Sequence, residues 1–358
     1  MRRLGPVAGA AIVLGVLVWL MLDHRRSGGR AADSPAVAPA PAPGGHPTPA
    51  APLPQAGPVE KQPTAGKFRT FASWGSAPGQ LGHKLDPEGA PEGPMSLASG
   101  RAGDLWVVDQ VNGRIQHFDA HGKALEEIHV STTTQDLVIG PNGNLYALDR
   151  LGRSDVTVFD RGGPLIDSDA VVGGTIGEGG AVTGIFADAD GVYLEREHGE
   201  TVRIAGADGR FDAERKVAPG RPSRDGSAFV KAARAGRRSP LVTVSVFGRD
   251  ATPRWQRTLL FARTVMNLVL LDTDLGGHLF VAALVADEAT AAPFALEGLA
   301  IEVLRVGLAD GADGGALILR APQGPEESFR ELAITDDGEV LQMLPQPDGM
   351  RIESYRFP

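Results

Sequence analysis

The chain has 358 residues and a mass of 37.4 kDa, with 35 Lys and Arg, 44 Asp and Glu, 47 Gly, 27 Pro and no Cys. That length is enough for one large domain or two ordinary ones. The absence of thiols excludes a disulfide scaffold and cysteine-based zinc sites, and a formal net charge of −9 argues against generic nucleic-acid binding, which draws on a surplus of Lys and Arg.

The first element is an uncharged run from Gly5 to Leu22, flanked by Arg2 and Arg3 before it and by Asp23, His24, Arg25 and Arg26 after it. Eighteen residues in a helix reach about 27 Å, close to the ~30 Å hydrocarbon core of a bilayer. A cleaved signal peptide normally has a shorter apolar region followed at once by small residues. The run therefore predicts an uncleaved single-pass anchor in residues 1–30. Arg2 and Arg3 nearly balance Arg25, Arg26 and Arg30 across the span, so the positive-inside rule barely orients it. A first apolar segment before a long soluble domain usually exports that domain. The expected location is thus the bacterial inner membrane, with the bulk of the chain in the periplasm. Residues 31–66 follow with ten of the 27 prolines in an Ala- and Gly-rich background. Such a stretch buries nothing and stays extended, as a spacer of up to about 110 Å at ~3.1 Å per residue.

From residue 67 to 358 a unit recurs. Gly103-Asp-Leu-Trp-Val-Val-Asp109 is echoed by Gly143-Asn-Leu-Tyr-Ala-Leu-Asp149 and, more weakly, by runs beginning at Gly191, Gly226, Gly277 and Gly338. Their spacings of 40, 48, 35, 51 and 61 residues scatter around the ~40–50 of a four-stranded propeller blade. An apolar strand precedes each glycine run and an alternating strand follows it, with Asp-Gly, Asn-Gly and Gly-Gly pairs between them. The fourth unit has a short, polar first strand at Arg221–Arg224, and the long last interval places an inserted loop at Ala286–Gly298. The final unit lacks an outer strand after Met350–Phe357, and Lys67–Trp74 is a strand without a unit of its own. Pairing the two closes a ring. The fold class expected is all-β, a six-bladed propeller.

Trp74-Gly75, Pro78-Gly-Gln-Leu81, Pro94-Met-Ser-Leu-Ala98, Gly103–Asp109, Asn112, Arg114-Ile-Gln-His-Phe118 and Gly122-Lys123 together resemble the NHL repeat. The likeness is close over 68–123 and fair over 137–163. It implies a six-bladed propeller in which Asp109, Asn112 and Arg114 form a structural network joining the second strand of a blade to its third. It also implies, as an alternative function, a lactonase-like or lyase-like enzyme with a divalent metal such as calcium held by channel-facing carboxylates, Asn or His. Some relatives bind RNA, which the net charge and expected location oppose.

No catalytic residue is readable. His24, His46, His83, His117, His121, His129, His198 and His278 form no H-E-x-x-H or comparable spacing. Asp188, Asp190, Asp272, Asp274, Asp336 and Asp337 recur after the first strands and read as turn residues. Asp310-Gly-Ala-Asp313-Gly-Gly315 lacks the spacing of a calcium loop. No Ser/His/Asp grouping, phosphate loop or dinucleotide fingerprint appears. One feature does stand apart. Residues 210–263 carry 13 Lys and Arg against 4 Asp and Glu, on a domain that is otherwise acidic. The densest part, Arg215, Lys216, Arg221, Arg224, Lys231, Arg234, Arg237 and Arg238, is the expected docking patch for an acidic protein or another anionic envelope component. The function expected is a tethered interaction module or scaffold, with no cofactor.

Overall fold

The computed structural model describes residues 63–85, 89–100, 103–160, 165–170, 176–290, 292, 294–322, 324 and 326–358. The apolar run 5–22 and most of the spacer lie outside them. No helix among the described residues is long and apolar enough to cross a membrane.

Six four-stranded antiparallel sheets follow one another around a ring. After β1 (Lys67–Ser73), blade one comprises β2 (Ser96–Ser99), β3 (Leu105–Asp109), β4 (Arg114–Phe118) and β5 (Ala124–His129). Blade two comprises β6 (Asp136–Ile139), β7 (Leu145–Asp149), β8 (Asp155–Phe159) and β9 (Leu165–Ala170). Blade three holds β10 (Val182–Asp188), β11 (Gly191–Arg196), β12 (Glu200–Gly206) and β13 (Val217–Ala218), and blade four β14 (Arg221–Pro222), β15 (Ala228–Arg234), β16 (Leu241–Gly248) and β17 (Pro253–Leu260). Blade five is built from β18 (Thr264–Thr273), β19 (His278–Glu288), β20 (Leu296–Gly307) and β21 (Asp313–Arg320), and blade six from β22 (Leu332–Ile334), β23 (Val340–Gln346) and β24 (Gly349–Tyr355).

The fourth strand of blade six is β1, paired antiparallel to β24 from Lys67↔Ser354 to Ser73↔Gly349. The ring is therefore closed by the strand expected from sequence, and no unfinished sheet edge remains at the closure. The recurring glycine has a simple cause. Gly103, Gly143, Gly226, Gly277 and Gly338 all hold φ between 70 and 85°, in the turn that leads from the first strand of a blade to its second. A Cβ is strained there. Blade four's inner strand is only two residues long, in keeping with its polar sequence. The inserted loop expected at Ala286–Gly298 is strand at both ends, 286–288 in β19 and 296–298 in β20. Asp287 pairs with Glu297 and Glu288 with Leu296, so the insertion lengthens the β19–β20 hairpin.

The core lies between blades. Phe118, Val107 and Leu105 pack with Leu341, Met343 and Ile352 at the six–one seam, and Leu148 and Val158 pack with Ile185 and Val202 at the two–three seam. The seam between blades three and four is different. Its buried apolar cluster consists of Tyr193, Ala218 and Phe229, with Phe247 packed against it. Arg249 compensates. Its guanidinium lies 4.2 Å from the Phe229 ring centroid and bonds Asp188 (2.7 Å), Asp190 (2.6 Å) and the Tyr193 hydroxyl (2.8 Å).

Candidate functional site

The inner strands β2, β6, β10, β14, β18 and β22 run the same way around the axis, and their C-terminal ends surround a cavity of about 440 Å³. Its wall has two arcs. Leu97 and Ala98 of blade one, Val138 and Ile139 of blade two and Ala333 of blade six are apolar. Asp188 of blade three, Arg224 and Asp225 of blade four, Asp272 of blade five and Asp336 of blade six are ionic. Leu275 stands at the rim, 54% exposed.

Arginines bridge the blades across this space. Arg224 reaches from blade four to Asp272 (3.1 Å), Asp336 (3.1 Å) and the Thr273 carbonyl (3.1 Å). Burial acts against its charge, but Asp272 and Asp336 outweigh that effect, and its pKa rises. Arg330, just before β22, crosses the axis to Asp136 (2.6 Å) and the Ile185 carbonyl (2.8 Å). Arg221 binds Glu195 through two nitrogens, at 2.7 and 2.9 Å, and the Leu271 carbonyl. Burial alone would raise the Glu195 carboxyl; Arg221 reverses this and holds it down to about 2. Arg221 and Arg330 both lie over the Phe186 ring, 4.5 and 4.9 Å from its centroid. Asp136, fully buried, ties four blades by also accepting from Ser96 (2.6 Å) and from the Ile185 amide (3.2 Å).

The turn carboxylates therefore do more than shape turns. Asp188 accepts from the amides of Asp190 and Gly191 with one oxygen while its other oxygen binds Arg249. Burial raises its pKa against that pairing. Asp274 bonds the amide and ring of His278. Asp310 and Asp313 cap the amides of Ala312 and Gly315.

The eight basic residues do not gather on one surface. Arg224 lines the channel and Arg221 lies over Phe186 beside it. Both turn away from the expected docking patch toward acid partners on neighbouring blades, Glu195 on β11 for Arg221 and Asp272 on β18 with Asp336 just after β22 for Arg224. Arg215 pairs with Asp169 (2.5 Å), Lys216 with Glu214 (3.1 Å) and Arg238 with Glu288 (2.8 Å), while Arg234 donates to the Met266 carbonyl (2.8 Å). Lys231 lies on β15, and Arg237 in the turn after it. Asp109, Asn112 and Arg114 form one network. Asp109 accepts from Asn112 (2.8 Å) and Arg114 (3.0 Å), and Arg114 also donates to the carbonyls of Ser76, Ala77 and Gln80.

A divalent metal fits this channel poorly. Among the described residues no group of three or more His, Asp or Glu is arranged to hold one, and the channel carboxylates Asp136, Asp188, Asp272 and Asp336 each face a guanidinium. Asp136, Glu195, Arg249 and Arg330 escaped sequence reasoning. The available signal was a charged residue at the edge of an otherwise apolar inner strand, as in Asp136-Leu-Val-Ile139.

No protein-family profile and no curated protein matches the chain. Solved structures do. A chain of hydrazine synthase from Kuenenia stuttgartiensis aligns at 13% identity and a TM-score of 0.48, over 77% of this chain and all of that one. A luciferin-regenerating enzyme aligns at 13% identity and 0.42, over 77% and 95%. Virginiamycin B lyase from Staphylococcus aureus aligns at 12% and 0.37, over 74% and 84%. Likenesses this distant carry no functional argument, and the six-bladed architecture rests on the sheets themselves.

Proposed function

We propose that this chain is an NHL-type propeller tethered at the cell envelope by residues 5–22, working as an interaction module whose ligand enters the funnel at the ends of the inner strands. The observation that carries this reading is the pairing inside the funnel. It is concave, built by all six blades and within the size range of ligand sites, yet Asp188, Asp272 and Asp336 are each held by an arginine. A general acid or base must sit within hydrogen-bond reach of the proton it moves. The guanidinium contacts on these three already occupy the carboxylate oxygens, so the funnel suits recognition better than proton transfer. The same pairing weighs against the metal-dependent alternative. Of the outer basic residues, the exposed Arg238 is engaged by Glu288, so the funnel rather than the basic sector supports the reading.

The test is site-specific photo-crosslinking in intact cells, with a photoreactive residue at Leu275 on the funnel rim or at the exposed Leu260 on β17. The expected result is an adduct at position 275 that is absent at 260. Equal labelling at both positions, or none at 275, overturns the proposal.

A further inference from the structure

We infer that the funnel takes an amphipathic cation, a ligand with an apolar body and an ammonium or guanidinium end. This rests on the funnel being the ligand site and adds the chemistry it selects. The two arcs give the ligand its two halves. Ala98, Val138, Ile139 and Ala333 offer apolar surface on the side of blades six, one and two, where Arg330, which lines the same side, is held by Asp136. The rim adds Leu275, a large apolar side chain left exposed beside a concavity, where an apolar ligand surface would cover it.

The sign of the charge follows from how the ionic arc is shared. Arg249 serves both Asp188 and Asp190. Arg224 serves both Asp272 and Asp336. Each arginine thus leaves one negative charge over. Arg330 is paired with Asp136, which Arg150 also faces, and Arg221 with Glu195. The positive charge left over on this side is one, against the negative charges left by Arg249, Arg224 and Asp225. Asp225 lines the funnel with no cationic partner among the described residues, and takes hydrogen bonds from the Ser223 hydroxyl (2.6 Å) and the Ser227 amide (2.9 Å). Burial works to raise its pKa, but these serine bonds prevail, and it stays ionised at neutral pH. The ionic arc therefore carries an excess of negative charge inside a concave wall, where field lines concentrate. An incoming cation meets three under-neutralised carboxylate groups opposite the apolar wall. A carboxylate ligand meets the same groups with the wrong sign.

The test uses the full-length chain in detergent and calorimetric titration at low salt with three probes of similar apolar body: 4-phenylbutylamine, 4-phenylbutanol and 4-phenylbutyrate. The expected order is amine, alcohol, carboxylate, with the amine about tenfold tighter than the alcohol, an advantage that salt erodes. Asp225→Asn should remove most of that advantage while leaving alcohol binding unchanged, and Glu214→Gln, on the outside of blade three, should leave all three affinities as they were. Equal binding of the three probes, or tightest binding of the carboxylate, overturns the charge assignment while leaving the funnel as a ligand site. Failure of the amine to bind at millimolar concentration also overturns it. If position 275 captures nothing in cells as well, the underlying reading fails with it.

Discussion

Asp155 stands opposite Asp149 across β7 and β8, at the register position where blade one sets Arg114 opposite Asp109. The blade-one pair is a buried salt bridge of 3.0 Å. In blade two the arginine is replaced by a second carboxylate, and like charges directly opposite in a sheet are destabilising. Asp149 is satisfied by Thr133 (2.5 Å) and the Gly152 amide (2.8 Å). Asp155 has Arg153 at 3.0 Å on one oxygen, and its other oxygen is buried without a partner.

Burial raises the Asp155 pKa above 3.8, Arg153 opposes the rise and Asp149 adds to it. A carboxyl whose folded pKa is raised holds its proton longer in the native state, so it costs stability as pH climbs from about 4 through the folded pKa. The other charged groups placed around it, Asp169 on β9 with its partner Arg215, balance one another. Asp155→Asn should therefore gain about 0.5–1 kcal/mol at pH 7 and nothing below pH 4. Urea denaturation at the two pH values measures the difference, and an equal effect at both would refute the account.

How much of this was legible depended on periodicity. Gly103 and Gly143 announce their blades because positive φ excludes most other residues, and β1 could be assigned to β24 because one strand was missing and one was spare. The fourth blade stayed faint because Arg221–Pro222 pairs over two residues only. The channel was illegible for a different reason. Arg330 lies 194 positions from Asp136 in sequence, and Arg224 lies 112 from Asp336. Their pairing is a property of the closed ring, which places the inner strands around one axis. A turn Asp that binds Arg249 and a turn Asp that only caps an amide carry the same local sequence signature.

Arg249, alongside the Arg221–Glu195 pair, is a polar fastener of the thin seam between blades three and four. Removing it leaves Asp188 buried beside Tyr193 without its cation, and breaking a buried pair from one side typically costs about 3–5 kcal/mol. Arg249→Ala should lower the unfolding free energy by that order. Arg249→Lys should recover less than half, because an ammonium cannot reach Asp188, Asp190 and the Tyr193 hydroxyl while lying flat on Phe229. Chemical denaturation of the two variants checks both statements. Full rescue by lysine would mean that charge alone holds the seam.

His117 predicts a loss of stability on the alkaline side. One ring nitrogen is 2.8 Å from Asp104 and the other 2.8 Å from Glu126, and both bonds persist only in the imidazolium. The ring also stacks on Trp106 at a centroid distance of 3.7 Å. Burial lowers its pKa, but the bonds to Asp104 and Glu126 more than offset this, and the net shift is upward from 6.5. The stabilisation is full below pH 6.5 and lost as pH rises through the folded value. Asp104, lowered chiefly by its bond to His117, adds a loss only at the acid end, as pH falls below 3.8. His117→Gln should flatten the decline in melting temperature above pH 6.5. A decline as steep as in the parent protein would assign it elsewhere.

Glu331 occupies the window between these two. It follows Arg330 at the start of the inner strand of blade six, and no hydrogen bond or ion pair reaches its side chain among the described residues. Burial alone pushes its carboxyl from 4.5 up to about 7. The folded protein therefore takes up a proton between those values, and stability falls as pH rises from 4.5 to 7, by about 1–3 kcal/mol. Glu331→Gln, which keeps the shape and removes the charge, should be more stable than the parent at pH 7.5 by that amount and equal to it at pH 4. Asp155, Glu331 and His117 all push stability downward with rising pH, but their windows open at about 4, 4.5 and 6.5. Urea denaturation of the three single variants across pH 4–9 separates them. If Glu331→Gln leaves the slope between pH 4.5 and 7 unchanged, the carboxyl has a cationic partner in solution and is ionised throughout.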